Sequence, residues 1–439
     1  MKVLVVGGGG REHALVRALR RSPRALEMLA CPGNPGIAEE ARCLELEGTA
    51  RELALGVAVG GPDDVRAVVD RAAEEGVELA VVGPEVPLVA GLADALEEAG
   101  IAAFGPSAAA ARIEGSKLHA KQVMADAGVP TASHAVLRGR DDALEHLSRV
   151  PYPTVLKADG LAAGKGVLIC GTEAAAREAI EAFLVERRFG DTEVLLEEHL
   201  DGEELSLLAL CDGDNVLPLA PAQDYKRIGD GDTGQNTGGM GSYSPVPGID
   251  PDAVEELTEL VHRPVVAALR DAGTPFHGIL YAGLMLTDAG PKVLEFNCRF
   301  GDPETQAVLP RLESDLVELC LAAREPGGLA RVEAVFSDEW AVTIVLASAG
   351  YPVSSSKGDV IRGLEDAAAT GAEVLHAGTA RNDGEFVTAG GRVLNVTALG
   401  PTPDAARERA YDAARRISFD GMQMRTDIAA RAVERVAAG

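Results

Sequence analysis

The stretch Lys157-Ala-Asp-Gly-Leu-Ala-Ala-Gly-Lys-Gly-Val167 is a glycine-rich loop bracketed by two apolar runs, Thr154 to Ala158 and Val167 to Cys170. Both flanks read as strands, so the loop is a hairpin flap whose glycines let backbone amides approach phosphate oxygens while Lys165 supplies charge. It is not a P-loop. That pattern needs four residues between its glycines and a Ser or Thr after the Lys, whereas three residues separate Gly160 from Gly164 and Gly166 follows Lys165. A tight turn would explain the glycines equally well. Lys157 on the preceding strand shifts the reading toward a nucleotide, because a cation ~4 Å from a phosphate is worth about 4 kcal/mol at an effective dielectric near 20.

Working outward, a helix carrying Lys117 and Lys121 precedes the flap, and a helix near 173 to 187 follows it, which makes a small α+β lid over about 123 to 192. Strands at 193 to 198, 204 to 211, 278 to 286 and 292 to 297, with Gly213 closing a hairpin, predict a larger, mostly antiparallel sheet within residues 104 to 327. Toward the amino end, apolar runs stop at Gly7 to Gly10, at Pro32-Gly33-Asn34-Pro35-Gly36 and at Gly83-Pro84-Glu85. Helices at 11 to 20, 62 to 75 and 87 to 98 lie between them, so residues 1 to 103 read as a parallel α/β domain with its turns at the carboxyl edge of one sheet. After Gly327-Gly328, a strand at 341 to 348, a hairpin turning near Gly390-Gly391 and helices near 403 to 417 and 422 to 437 predict a separate α+β domain over 328 to 439. The fold class is therefore multidomain α/β and α+β.

Composition narrows the function. A net charge of −27 opposes binding to nucleic acid or anionic membranes, which need clustered Lys and Arg. Six scattered cysteines with no CxxC pair suit reduced thiols better than a disulfide frame or zinc site. The start MKVLVV offers no signal h-region, and no stretch approaches the ~18 apolar residues of a membrane span, so a cytoplasmic protein is expected.

Several motifs carry candidate chemistry. Glu295-Phe-Asn297 ends a strand, where the period of two puts Glu295 and Asn297 on one face and Phe296 in the core. Two hard oxygen donors beside Arg299, Asp302 and Glu304 suit Mg²⁺ completed by substrate phosphates and water, although such a pair can also be a plain exposed strand face. Glu197-Glu198-His-Leu200, followed by Glu204, could form a hinge whose backbone reads an adenine edge while a carboxylate holds ribose hydroxyls; without context it is an acidic turn. Gln223 to Gly241 is a long polar loop containing Asp224, Lys226 and Arg227, a pattern that favours an active-site loop. The run Gly7 to Gly10 is not a dinucleotide fingerprint, since Glu12 stands where a glycine is required and Cys31-Pro32 ends the second strand. It leaves a helix N-terminus with free amides and Arg11 as a site for a small phosphate monoester or carboxylate. His13 reads as a packing residue.

GGREHAL (9–15), PGN (32–34), GPE (83–85), EGSK (114–117), KADGLAAGKGV (157–167), NTGGMG (236–241), EFNCRFGDPETQ (295–306) and HAGT (376–379) together resemble the phosphoribosylamine–glycine ligase family of the ATP-grasp superfamily, over essentially the whole chain. The resemblance implies an ATP-grasp core over 104 to 327 and ligation of glycine to 5-phosphoribosylamine through glycyl phosphate, in purine biosynthesis, with ATP as co-substrate and Mg²⁺ or Mn²⁺ as cofactor. It implies Glu295 and Asn297 as metal ligands and Arg299, Lys226 and Asp224 as catalytic residues. Contacts to ATP would come from Lys117, Lys157, Asp159, Gly160, Gly164, Lys165, Gly166, Glu197, Glu198, Leu200 and Glu204. Gly9, Gly10, Arg11, Asn34, Pro84, Glu85, Thr237, Gly238, Gly239 and Met240 would hold the other substrates. Two departures are visible: Gly8 stands where the family commonly carries Asn, and the strand Gly278 to Met285 lacks the further acidic ligand of many ATP-grasp relatives. Partners are expected to be small molecules, with a monomer or weak homodimer in solution. The competing readings are another ATP-grasp carboxylate–amine ligase or carboxylase, an NAD-dependent oxidoreductase, and a binding protein without turnover.

Overall fold

The computed structural model describes residues 1–161, 166–190 and 192–438. Gly164 and Lys165 of the flap lie outside the described residues.

The amino-terminal sheet is five-stranded and parallel, in the order Arg42–Cys43, Glu27–Pro32, Lys2–Gly7, Leu79–Val82, Ala102–Phe104. Leu4, Val6, Leu29, Ala80 and Val82 face one core, while Val3, Val5, Ala30, Leu79 and Val81 face the other. Burial on both faces is why these strands read as unbroken apolar runs. The order reverses between Lys2–Gly7 and Leu79–Val82, so Gly7–Gly10 and Gly83–Glu85 flank one crevice at the strands' carboxyl ends. The helix expected over 87 to 98 is two helices, Glu85–Val89 and Leu92–Glu98, interrupted at Gly91 with φ +87°.

The lid sheet runs His134–Leu137, Val194–Glu198, Thr154–Ala158, Val167–Cys170, all antiparallel. Val194–Glu198 therefore belongs here and not, as expected, to the larger sheet. Its Leu196 joins Leu137, Leu156, Ile180 and Phe183 in the lid's own core. The central sheet is antiparallel in the order Val216–Pro218, Glu203–Asp212, His277–Thr287, Gly290–Asn297. Gly213, at φ +90°, sits in the first hairpin's turn as expected.

The carboxy-terminal block is not a separate sheet. Gln223–Asp224 and Gly241–Ser244, the two ends of the polar loop, pair side by side, and Gly241–Ser244 then pairs with Trp340–Ala347; Arg392–Gly400 and Glu373–His376 complete five strands. Its hairpin turns at Asp383-Gly384, where φ is +49° and +85°, and not at Gly390-Gly391. Two consecutive positive φ angles suit a tight two-residue hairpin. The last helix starts at Ala430; Gln423 exchanges backbone hydrogen bonds of 2.8 Å with Ala347, which holds the segment before it extended. Among the described residues no helix is long and apolar enough to cross a membrane.

The first and last blocks meet at Asn34. Its Nδ2 donates to Gly8 O at 2.9 Å and His376 O at 2.8 Å, and its Oδ1 accepts from Gly36 and Ile37 N at 2.9 Å. A Cβ on Gly36 would lie 2.3 Å from the buried His376 ring. Gly36→Ala is therefore expected to lower stability by about 1–3 kcal/mol through overpacking, read as a fall in thermal midpoint.

Candidate active site

On the central sheet, the strand Gly290–Asn297 sets Glu295 opposite Gly283 and Asn297 opposite Tyr281, and the neighbouring strand sets Ser206 opposite Gly283. Directly paired antiparallel residues share a face, so Ser206, Tyr281, Glu295 and Asn297 form one polar surface, and Phe296 is buried on the other side as expected. Glycine at 283 keeps that surface open, since a Cβ there would stand 3.4 Å from Glu295 Cγ. Burial pushes the Glu295 carboxyl up, but Lys226, Lys157, Lys117 and Arg299 outweigh it and hold it below its ordinary value. Four cations thus lie within electrostatic reach of one carboxylate.

Ser116 caps the helix Lys117–Ala127 by accepting from His119 N at 3.1 Å. Asp159 adds a carboxylate at the same helix N-terminus, accepting from Leu118 N at 3.2 Å and Ser116 Oγ at 3.0 Å. Lys117 Nζ reaches Gly160 O at 2.9 Å, and Gly166 O accepts from Ala158 N at 2.8 Å, so these residues meet at the root of the flap. Burial lowers the Lys117 pKa. Lys157 pairs with Glu197 at 2.9 Å, and Lys121 reaches the other oxygen of that carboxylate at 3.1 Å. Glu197 is buried between these lysines. Glu198 is held by Lys292 at 2.7 Å and Ser133 N at 3.0 Å. Leu200 is buried at the hinge, while Glu204 keeps an exposed carboxylate on Lys226 at 2.7 Å.

The amino-terminal turns differ from expectation. Glu12 accepts from Gly9 N at 2.6 Å and from Arg11 Nε at 2.6 Å, so the protein's own carboxylate occupies the helix start and Arg11 is buried against it. Of the expected free amides, that of Gly9 is taken by Glu12, and the Arg11 guanidinium is paired with the same carboxylate. Asn34 spends its amide on the interdomain bonds above, and Pro84 is buried against Gly56. Gly8 has no room for the family's Asn, since a Cβ would lie 2.6 Å from Gly33 O. Gly10 packs against Asn395 and Gln306. Glu85 does reach the centre: it and Glu114 clasp Arg299 at 3.1 Å each, while Arg299 also donates to Asn297 Oδ1 at 3.2 Å. Burial works against the Glu85 charge, but Arg299 and Arg11 prevail and lower its pKa.

Asp224 and Lys226 lie on the same surface, with Nζ 3.1 Å from Asp224 Oδ1. Burial pushes the Asp224 carboxyl up to about 7, with Glu304 and Glu204 adding to the rise and Lys226 opposing it. Burial pulls the Lys226 ammonium down, but Asp224 and Glu204 more than restore it, so it stays charged. Thr237 N and Oγ1 donate to Lys226 O at 2.7 and 2.8 Å, and Gly239 N donates to Thr237 Oγ1 at 2.9 Å. Gly238 is exposed and donates to Tyr351 OH at 2.9 Å. Met240 points away from the site, into a small core with Val345 and Ala347. The sequence motifs did not single out Tyr281, whose OH lies 3.0 Å from Ser206 Oγ and donates to Glu304 at 2.9 Å, or Arg392, which pairs with Asp302 at 3.0 Å. A tyrosine inside a buried strand and an arginine some 90 positions from its partner carry no local signal.

No group of three or more His, Cys, Asp or Glu suited to a metal occurs among the described residues. The pair Glu295 and Asn297 nevertheless fits a hard divalent cation. It offers carboxylate and amide oxygens on one face, and the Glu295 carboxylate meets its cations only across space.

Three family models span most of the chain: the Phosphoribosylglycinamide synthetase N domain at 1–114, its ATP-grasp (A) domain at 115–305 and its C domain at 341–431. A phosphoribosylamine–glycine ligase from Streptomyces coelicolor is 51% identical over 436 residues, covering 98% of this chain and 99% of the relative. One from Vibrio parahaemolyticus is 47% identical over 438 residues, 99% of each. The crystal structure of phosphoribosylamine–glycine ligase from Thermotoga maritima matches with a TM-score of 0.81 at 33% identity, covering 98% of this chain and 100% of that one. The biotin carboxylase domain of Hydrogenobacter thermophilus 2-oxoglutarate carboxylase shares the fold, with a TM-score of 0.70 at 19% identity and coverage of 96% and 91%. Family models over most of the chain and relatives that match along nearly its whole length identify it as a member of the phosphoribosylglycinamide synthetase family of ATP-grasp proteins.

Proposed function

We propose that the chain is a phosphoribosylamine–glycine ligase, converting ATP, glycine and 5-phospho-β-D-ribosylamine to ADP, phosphate and glycinamide ribonucleotide. The carrying observation is that full-length relatives at 47–51% identity bear that name, and Lys117, Lys157, Lys226 and Arg299 lie within electrostatic reach of Glu295 in keeping with it. A glycine carboxylate oxygen attacks the γ-phosphorus of ATP, ADP leaves, and the resulting glycyl phosphate is attacked at its carbonyl carbon by the ribosylamine nitrogen, expelling phosphate. Glu295 and Asn297 would hold Mg²⁺ or Mn²⁺, which neutralises phosphate charge when bound. Lys117 and Lys157 flank the phosphates, Arg299 stabilises charge on the acyl phosphate, and the flap rooted at Asp159, Gly160 and Gly166 excludes water from it. Glu204, whose carboxylate is more open to solvent than the buried Glu197 although Lys226 also pairs with it, would hold the ribose hydroxyls. Asp224 takes the proton that the nitrogen loses on attack, with Lys226 holding it in place.

The test is glycine-dependent ADP release with freshly generated phosphoribosylamine. Its absence from folded, ATP-binding protein would overturn the reading. In the same assay, kcat/KM is expected to rise with pH through an acid limb at about 7, because Asp224 must be ionised to accept a proton. Asp224→Asn should remove that limb and lower kcat about 10²-fold or more; an unchanged limb would eliminate Asp224 as the base.

A further inference from the structure

The polar loop does not stand alone. Its exposed hairpin, Arg227–Gly229 with Thr233–Asn236, is grasped at the tip by Arg425, Thr426 and Asp427, just ahead of the last helix. Thr426 N donates to Asp230 Oδ1 at 2.8 Å, and its hydroxyl donates to the same carboxylate. Gly231 N donates to Asp427 Oδ2 at 2.8 Å. Arg425, only 1% exposed, donates to Asp232 Oδ1 at 2.8 Å, to Arg227 O at 3.1 Å and to both oxygens of Asp427 at 2.7 and 2.6 Å. Its guanidinium carbon lies 4.7 Å from the centroid of the buried Tyr225 ring, and Arg431 approaches the same ring at 5.2 Å. Tyr225 is the residue between Asp224 and Lys226.

A buried arginine needs partners for its charge, and here two carboxylates and a carbonyl from two distant segments supply them. Its planar face simultaneously fixes the ring between the two polar residues of the site. We infer that Arg425 is a positioning residue for the ligase reaction: through Tyr225 and the Asp232-anchored hairpin, it sets where Asp224 and Lys226 stand relative to Glu295. This rests on the reading of Asp224 and Lys226 given above. Asp232 itself touches only Arg425 and Arg431 among the residues described, and at φ +55° it occupies a conformation that Asn also adopts readily. Asp232→Asn therefore removes the charge that anchors Arg425 without removing bulk or straining the turn.

The experiment compares wild type, Asp232→Asn, Arg425→Lys and the double variant, measuring kcat, the KM for each substrate, ATP affinity by calorimetry and the thermal midpoint. Each single variant is expected to lose about tenfold in kcat while ATP affinity stays within about twofold, since displaced catalytic groups cost turnover before nucleotide binding. The double variant should be no worse than the poorer single variant, because both changes break one linkage. Three results would overturn the role: kcat within about twofold of wild type in Asp232→Asn, losses that multiply to about a hundredfold in the double, or kcat and ATP affinity falling together with the thermal midpoint. Glycine-dependent ADP release by wild type, with unchanged variants, would reject Arg425 while keeping the ligase reading. Inactive wild type would reject both.

Discussion

Glu295→Gln is expected to reduce glycine-dependent ADP release by about 10²–10³-fold or more while the protein remains folded. The Glu295 side chain keeps solvent contact on the open side of the central sheet even though surrounding protein partly desolvates its carboxylate, so its replacement by Gln leaves no cavity and strands no buried donor. What disappears is the negative charge that Lys117, Lys157, Lys226 and Arg299 stabilise across space, and with it an anionic ligand for the cation. The variant should keep measurable nucleotide affinity through the lysines while losing its response to divalent cation, as a titration of ADP release against Mg²⁺ would reveal. At neutral pH the variant should be somewhat less stable than wild type. In wild type, a carboxyl held below its ordinary value adds stability that is present above the unfolded value near 4.5 and is lost as pH falls through the lower folded value. The Gln variant lacks that term, so the two proteins should converge in stability on acidification.

Arg299→Met is expected to lose both turnover and fold stability, with about 3–5 kcal/mol removed from the latter. Arg299 is the wedge between Glu85 and Glu114, carboxylates contributed by two different helices. Without it, the two acids confront each other with little water to separate them. Burial already pushes the Glu114 carboxyl above its ordinary value, with Arg299 restraining the rise and Glu85 adding to it. A carboxyl raised on folding binds more protons in the folded state, so its contribution to stability declines as pH climbs through the carboxylate range. Arg299→Met removes the restraint, and its unfolding midpoint should therefore fall more steeply with rising pH than that of wild type. Arg299→Lys, which keeps one charge but not the fork, should recover part of the stability and little of the turnover. A Met variant with wild-type stability across pH would show that the two acids do not depend on this arginine.

Local pattern made some of the architecture legible and hid the rest. Glu295 and Asn297 could be placed together because a strand's period of two is a local rule, and the parallel amino-terminal sheet was readable because its strands are buried on both faces. The direction in which a motif residue points obeys no such rule. Asn34 and Met240 stand in recognisable motifs, yet one ties the first and last blocks together and the other fills a small core. Arg11, beside a glycine turn, reads as an anion receptor until Glu12 is seen to take its charge. Tyr281 and Arg392 were invisible because their meaning comes entirely from partners brought together by sheet pairing and by packing of the last block. Val194–Glu198 joins the lid and not the central sheet because an apolar run does not declare which sheet it will join.

The strands at the two ends of the polar loop belong to the same sheet as the carboxy-terminal block. A seam therefore runs through the molecule where a beads-on-a-string arrangement would have a joint. Cutting the chain in the connection before Trp340 would yield an amino-terminal piece displaying Gly241–Ser244 as a bare edge and a carboxy-terminal piece with the matching edge at Trp340–Ala347. Such halves should seek each other, which makes that connection a natural place to divide the protein for reassembly and a poor place to look for an autonomous module.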